Sequence, residues 1–417
     1  MRHQIKLYWS NKYIQGGFFL IISSFIANAL NYIFNFFAAR VLGPSGYGEL
    51  VAFYAYIALF SVPMTVLSNI IIQRISSHTE NPFIYAKSFT TQFKQIMRNF
   101  FPYIILSIFI IPFVSRVTNL SPIVSYLLVP TILLGIIGSF YSSIFQGLKL
   151  FFLFSLIGVA GVILKLVSIF IPVFNFGALN EVLIFQFFAS IFLLVISILI
   201  LSKLLNSHRV GESSPLFIKF KRLMISRQFI ITLLSVLSFT ILSNVDIMFV
   251  KKFFAPGETG IYSSWSLFAK IILYVVGPIT QISFVFFASN GKKQLQDQVL
   301  LLSLAVLTLV GIIGYIGYTS VGSILISLLF GTKFLKVIHY LGLASIFGTF
   351  YTAISFLNTY FLAKKSRYAL ILAILLPLYL ISLFIIPKSL LNIMWTNIIF
   401  AGIVAISYLG AFLVSSR

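Results

Sequence analysis

The sequence predicts an all-α polytopic membrane protein: about 12 transmembrane helices in two six-helix lobes, parallel repeats around a central cavity. Three observations predict it. Hydrophobic residues make up 60% of the 417 and charged residues 9%, at a mean hydropathy of +1.07. Soluble proteins are about a quarter charged, so this composition belongs in lipid. Apolar runs of about 20 residues, enough to cross a bilayer as a helix, recur along the chain. Finally, "ARVLGPSGYGEL" (Ala39–Leu50) returns as "KKFFAPGETGIY" (Lys251–Tyr262), with Pro44 and Gly48 in register with Pro256 and Gly260.

The elements follow in order. The basic start "MRHQIKLYWSNKY" precedes an apolar run of about 25 residues, too long for a signal-peptide core, so it reads as a retained first membrane helix. The spans are roughly 14–38, 49–72, 99–117, 122–146, 152–174, 179–202, 228–250, 260–288, 297–318, 336–362, 367–387 and 390–413. Between the ninth and tenth, Thr319–Leu335 contains "VGSILISLLF", too short to span, which reads as an extension or a re-entrant piece. The basic stretch 203–227 is the linker. It separates an N-terminal lobe, 1–202, from a C-terminal lobe, 228–417. Each Gly/Pro segment then joins the first and second helices of its lobe. Gly43, Pro44, Gly46 and Gly48 permit a tight outer hairpin there.

Lys and Arg number 29 against 7 Asp and Glu. The basic residues lie mainly in short gaps between apolar runs, so they report topology rather than nucleic-acid binding. About 20 fall on the side of the two termini and about 7 on the other, which places both termini in the cytoplasm.

Ionisable side chains inside spans are costly and point to function. Lys165 falls near the middle of the fifth helix, Lys270 well inside the eighth, and Asp246 in the seventh about one turn from its outer end. Asp246 is the one carboxylate placed within a span. Polar neighbours share their faces at steps of three or four. Asn28, Asn31 and Asn35 line the first helix. Gln146 ends a stripe on the fourth, and Tyr274 and Gln281 follow Lys270 on the eighth. Such faces also serve helix packing in membranes. One lysine can pair with Asp246, but both cannot be neutralised by it, so a wet, positively charged cavity that attracts an anion is expected. The expected substrate-binding set is Lys165, Lys270, Arg40, Asn28, Asn31, Asn35, Gln146, Tyr274 and Gln281. Asp246 and Lys251 are the candidates for coupling or gating.

There is no cysteine, so disulfides and thiolate chemistry are excluded. His3, His78, His208 and His339 share no metal-ligand spacing. No P-loop, H-E-x-x-H or G-x-S-x-G pattern occurs. Transport without ATP is the class that remains, and no enzyme activity is expected.

The run Arg40, Leu42, Gly43, Pro44, Gly46, Tyr47, Gly48 between two apolar helices resembles the start of the Wzx-type polysaccharide flippases. These belong to the multidrug/oligosaccharidyl-lipid/polysaccharide (MOP) exporter superfamily. Asp246 with Gly260, Ile261 and Tyr262, and "LLFGTKF" (Leu328–Phe334), are similar to the same family. The resemblance implies a V-shaped, MATE-like transporter with alternating access in the bacterial cytoplasmic membrane. It implies a substrate, an undecaprenyl-pyrophosphate-linked oligosaccharide, moved from the inner to the outer leaflet with H+ or Na+ coupling. A polysaccharide polymerase or assembly complex is the expected protein partner, and nucleic acid is not. The second segment departs from the first in having Lys252 and Ala255 where the first has Arg40 and Gly43. A multidrug efflux antiporter of the same superfamily and a non-transporting scaffold of cell-wall synthesis are the alternatives.

Overall fold

The computed structural model describes residues 12–77, 81–107, 109, 111–171, 177–207, 227–288 and 293–416. The described residues are helical or in short connections, and none lies in a strand. Ten helices are long and apolar enough to cross a membrane.

The first of them, α1, runs Lys12–Ser77. At 1.5 Å per residue it is far longer than the roughly 30 Å hydrocarbon core. It is interrupted at Gly43, where φ is 65° and ψ 179°, a backbone region that essentially only glycine enters. The two arms, 12–42 and 44–77, are the first two crossings. The turn is therefore one residue wide. Pro44 begins the second arm, and Gly46 and Gly48 are already helical rather than part of a hairpin loop.

The predicted third span falls on α2 (Pro82–Ser107) and α3 (Ile111–Thr118), neither of which is among the ten. α2 starts well before the predicted residue 99. Its first turns are amphipathic: Ala86, Phe89, Thr90 and Phe93 are buried, while Lys87, Lys94 and Arg98 point out. Those charges hide the segment from a hydropathy reading. Then come α4 (Pro122–Gly147), α5 (Phe151–Val167, continued as a 3-10 turn Ser168–Phe170) and α6 (Ala178–Ser207). The second half contains α7 (Arg227–Phe253), α8 (Pro256–Ala288), α9 (Lys293–Leu329), α10 (Leu341–Ala363), α11 (Ile371–Ile385) and α12 (Leu390–Ser416). The predicted piece after the ninth span is its extension: α9 continues to Leu329, and a 3-10 helix, Thr332–Tyr340, follows.

The chain forms two compact units, 1–41 with 60–223 and 42–59 with 224–417. Residues 42–59, placed by their sequence position in the first lobe, group with the second unit. In the first unit, Ile71 and Ile75 of α1, Phe89 and Phe93 of α2, Phe140 and Phe145 of α4 and Leu201 of α6 form one apolar core. Phe93 and Phe140 stack with ring centroids 3.8 Å apart. In the second unit α10 is central and packs on α8, α9 and α12. Phe347 of α10 stacks on Trp265 of α8 at 5.5 Å. The α7–α8 connection is short because Glu258 reaches back to accept from the Ala255 N–H at 3.1 Å, and Pro256 opens the helix with no N–H to satisfy.

Candidate functional site

In the first unit, the first arm of α1 lies beside α5, joined by a hydrogen bond from Ser23 to Ser155 at 2.8 Å. Lys165 is in the last turn of α5, nearer the end of the span than its predicted middle. Its ammonium donates to Asn31 Oδ1 at 3.1 Å and lies 4.5 Å from the centre of the Phe34 ring. A desolvated cation over an aromatic face gains about 2 kcal/mol or more. Asn35 donates to the Asn31 carbonyl at 2.7 Å, one turn along the same face. On the other side, Gln186 of α6 donates to Ser168 Oγ at 2.9 Å, and Ser168 donates to the Lys165 carbonyl at 2.6 Å. Three helices thus bring a cation, two Asn, a Ser and a Gln together on a partly buried face of the first unit.

In the second unit, Asp246 is 1% exposed and sits two turns, not one, from the end of α7. Its Oδ2 accepts from the Tyr262 hydroxyl at 2.5 Å and from Asn397 Nδ2 at 3.0 Å, and its Oδ1 accepts from the Ile247 N–H at 2.8 Å. Tyr379 donates to Asn397 Oδ1 at 2.6 Å, which orients that amide. Four helices, α7, α8, α11 and α12, meet at this carboxylate. Lys270 attracts Asp246 electrostatically without bonding to it: its Nζ donates to the Ser243 carbonyl at 2.8 Å. Ser243 shares a short hydrogen bond with Tyr351.

The two Gly/Pro segments meet each other within the second unit. A Cβ on Gly48 would lie 2.5 Å from the Gly260 nitrogen, and one on Gly260 would lie 2.5 Å from the Pro44 carbonyl carbon. Only two glycines allow the backbones to come this close. Next to them Lys251 pairs with Glu49 at 3.4 Å, the two side chains 6% and 13% exposed. Lys251 therefore answers Glu49 across the contact, not Asp246 on its own helix.

Of the predicted residues, Lys165, Asn31 and Asn35 come together. Asn28 shares their helix but is exposed and makes no hydrogen bond among the described residues. Gln146 ends α4 just before α5 begins, about 22 Å along α5 from Lys165, and is not part of that cluster. Arg40 is exposed at the end of the first arm. Tyr274, one turn past Lys270, is 47% exposed. The Gln281 side chain, His3, His78 and His208 lie outside the described residues. Sequence reasoning missed Glu49, Gln186, Tyr351, Tyr379 and Asn397. Asn397 had a signal, a lone carboxamide inside an apolar run. Glu49 was obscured by lying at the edge of its predicted span.

Two units of membrane-length helices, with polar side chains clustered among them, make a multi-pass membrane protein. The chain belongs to the polysaccharide biosynthesis protein family, whose family model matches residues 13–290. Among solved structures it is similar to "Lipid II flippase MurJ, inward closed conformation", at 16% identity and a TM-score of 0.73, covering 94% of this chain and 87% of that one. It is also similar to an inward-facing multidrug resistance MATE family transporter of the MOP superfamily, at 14% identity and a TM-score of 0.61, covering 93% of each chain. The eukaryotic MATE transporter AtDTX14 matches at 12% identity and a TM-score of 0.61, over 97% of this chain and 96% of that one. The fold is thus that of the MOP-superfamily transporters. No curated protein matches in sequence.

Proposed function

We propose that the chain is a flippase that carries an undecaprenyl-pyrophosphate-linked oligosaccharide from the inner to the outer leaflet of a bacterial cytoplasmic membrane, both termini being cytoplasmic. It works as a transporter by alternating access and not as an enzyme. The observation that carries this reading is Lys165. A cation held on the Asn31 carboxamide oxygen, amid Asn35, Ser168 and Gln186 inside apolar helices, suits a phosphate with attached sugar hydroxyls. Lys270 adds a second cation in the other unit, held by the neutral Ser243 carbonyl.

Asp246 is the coupling residue in this reading, with H+ or Na+ as the coupling ion. The groups turned toward its oxygens are donors: the Tyr262 hydroxyl, the Asn397 amide and the Ile247 N–H.

Deleting the gene is expected to make lipid-linked repeat units accumulate on the cytoplasmic side, with drug susceptibility unchanged. Complementation with Lys165→Ala or Lys270→Ala tests the site. If both variants export polysaccharide at the wild-type rate, the cationic reading fails. An efflux antiporter would instead show in a drug panel, and a scaffold would flip no lipid in liposomes.

A further inference from the structure

The "LLFGTKF" motif opens an element that the transport reading does not use. α9 ends at Leu329, and the Phe330 and Gly331 N–H groups both bond back to the Ile326 carbonyl, at 2.8 and 3.0 Å. Gly331 has φ 89°, which favours glycine, and breaks the helix. The Thr332–Tyr340 3-10 helix that follows is long for its kind, since runs beyond three or four residues are uncommon.

Packing holds it in place. Phe334 and Val337 are fully buried. The Phe334 ring lies edge-on to Tyr47 at 6.0 Å, and the Trp265 indole donates to the Tyr340 carbonyl at 3.0 Å. With three residues per turn, positions i and i+3 eclipse about 6 Å apart. The buried edge therefore leaves Lys333, Lys336 and His339 in one column, and all three are exposed. None of the three has a hydrogen bond, ion pair or ring contact with a described residue. Other cations at this end of the unit are engaged: Lys251 with Glu49, and Lys388 4.3 Å above the Phe253 ring.

Position identifies what faces the column. Ile324 and Leu328, one turn apart beyond the break in α9 at Val321, are 62% and 65% exposed, an apolar edge that suits acyl chains. The lysines begin just past them, where hydrocarbon gives way to headgroups. A basic column at that level meets phosphate. We propose that the 332–340 helix is a docking strip for anionic phospholipid, with Lys333 and Lys336 on the lipid phosphate and His339 extending the column. The rigid aromatic packing beneath makes it an anchor that fixes the depth of the second unit in the membrane. The strip depends only on the chain spanning a bilayer, whatever cargo it carries.

The test uses the full-length protein in liposomes of equal phosphatidylglycerol and phosphatidylcholine, each lipid in turn supplied with a photoreactive acyl chain. After irradiation, labelled peptides are mapped by mass spectrometry. A lysine at an anionic surface contributes about fivefold in affinity, so two contribute about 25-fold. Labelling of the 321–340 segment should favour phosphatidylglycerol by that order. Lys333→Gln with Lys336→Gln should bring the preference to about one, and Lys333→Arg with Lys336→Arg should keep it. Because both lysines are exposed, the variants should melt with the wild type. A wild-type preference near one, or a preference unchanged in the Gln double variant, overturns the strip. Loss of the label on adding a small mole fraction of undecaprenyl phosphate would replace phospholipid with a polyprenyl lipid as the occupant, overturning that assignment.

Discussion

Gly48→Ala tests the closest backbone contact in the second unit. The added Cβ would sit 2.5 Å from the Gly260 nitrogen and 2.8 Å from the Thr259 carbonyl carbon. Ordinary contact begins at 3.4 Å, so the second arm of α1 must move away from α8 by about 0.9 Å. Both obstacles are backbone, which no side-chain rotation relieves. Overpacking of this kind costs up to about 3 kcal/mol. Alanine is better than glycine inside a helix by about 1 kcal/mol, which offsets part of it. The net loss is about 2 kcal/mol, or about 4–8 °C in the melting midpoint of a unit of this size. The assay is thermal unfolding of the purified protein in detergent. Gly257→Ala is the control: nothing lies within 4 Å of its Cβ, so only the helix-propensity gain applies and the midpoint should hold or rise. Gly260→Ala should lose more than Gly48→Ala, since its Cβ meets the Pro44 carbonyl oxygen closer still. If Gly48→Ala and Gly257→Ala melt together, the two segments do not pack as described and the argument for the paired glycines is wrong.

Lys251→Met should destabilise by about 3–5 kcal/mol in the same melt, because it takes the buried ammonium away from the Glu49 carboxylate; adding Glu49→Gln should recover most of that. Tyr262→Phe removes one hydroxyl donor from the Asp246 carboxylate and should cost about 1.5–3 kcal/mol, read by chemical denaturation, with Tyr379→Phe costing less because its acceptor is a neutral amide. Asn31→Ala takes the oxygen from the Lys165 ammonium and should lower polysaccharide export about tenfold at matched protein level, whereas Asn28→Ala, with no such bond, should leave it unchanged.

Much of the fold was legible because its signals are local. Chain length per span, the turn within Gly43–Gly48 and the polar positions inside apolar runs all depend on a residue and its near neighbours, and a bilayer imposes them whatever else is folded nearby. Lys165, Asn31 and Asp246 each stood out for the same reason, but the bond that joins Lys165 to Asn31 did not. The start of α2 at Pro82 was not legible, since its amphipathic turns look polar until Phe89 and Phe93 are seen against α4. Nor was the depth of Lys165, because the end of α5 is set by the Ser168–Gln186 bond across to α6.

By itself the sequence determined that this protein spans a membrane many times, that the chain turns within the Gly43–Gly48 stretch, and that two lysines and an aspartate lie within helices. Only the tertiary structure decided which groups those charges meet. It gave Asp246 to Tyr262 and Asn397, Lys251 to Glu49, and residues 42–59 to the second unit. The physical reason is that hydropathy and helical period constrain a helix along its own axis. Its partners depend on how it is rotated and how closely its neighbour can approach, and here a pair of glycines far apart in the chain sets that approach for one pair of helices.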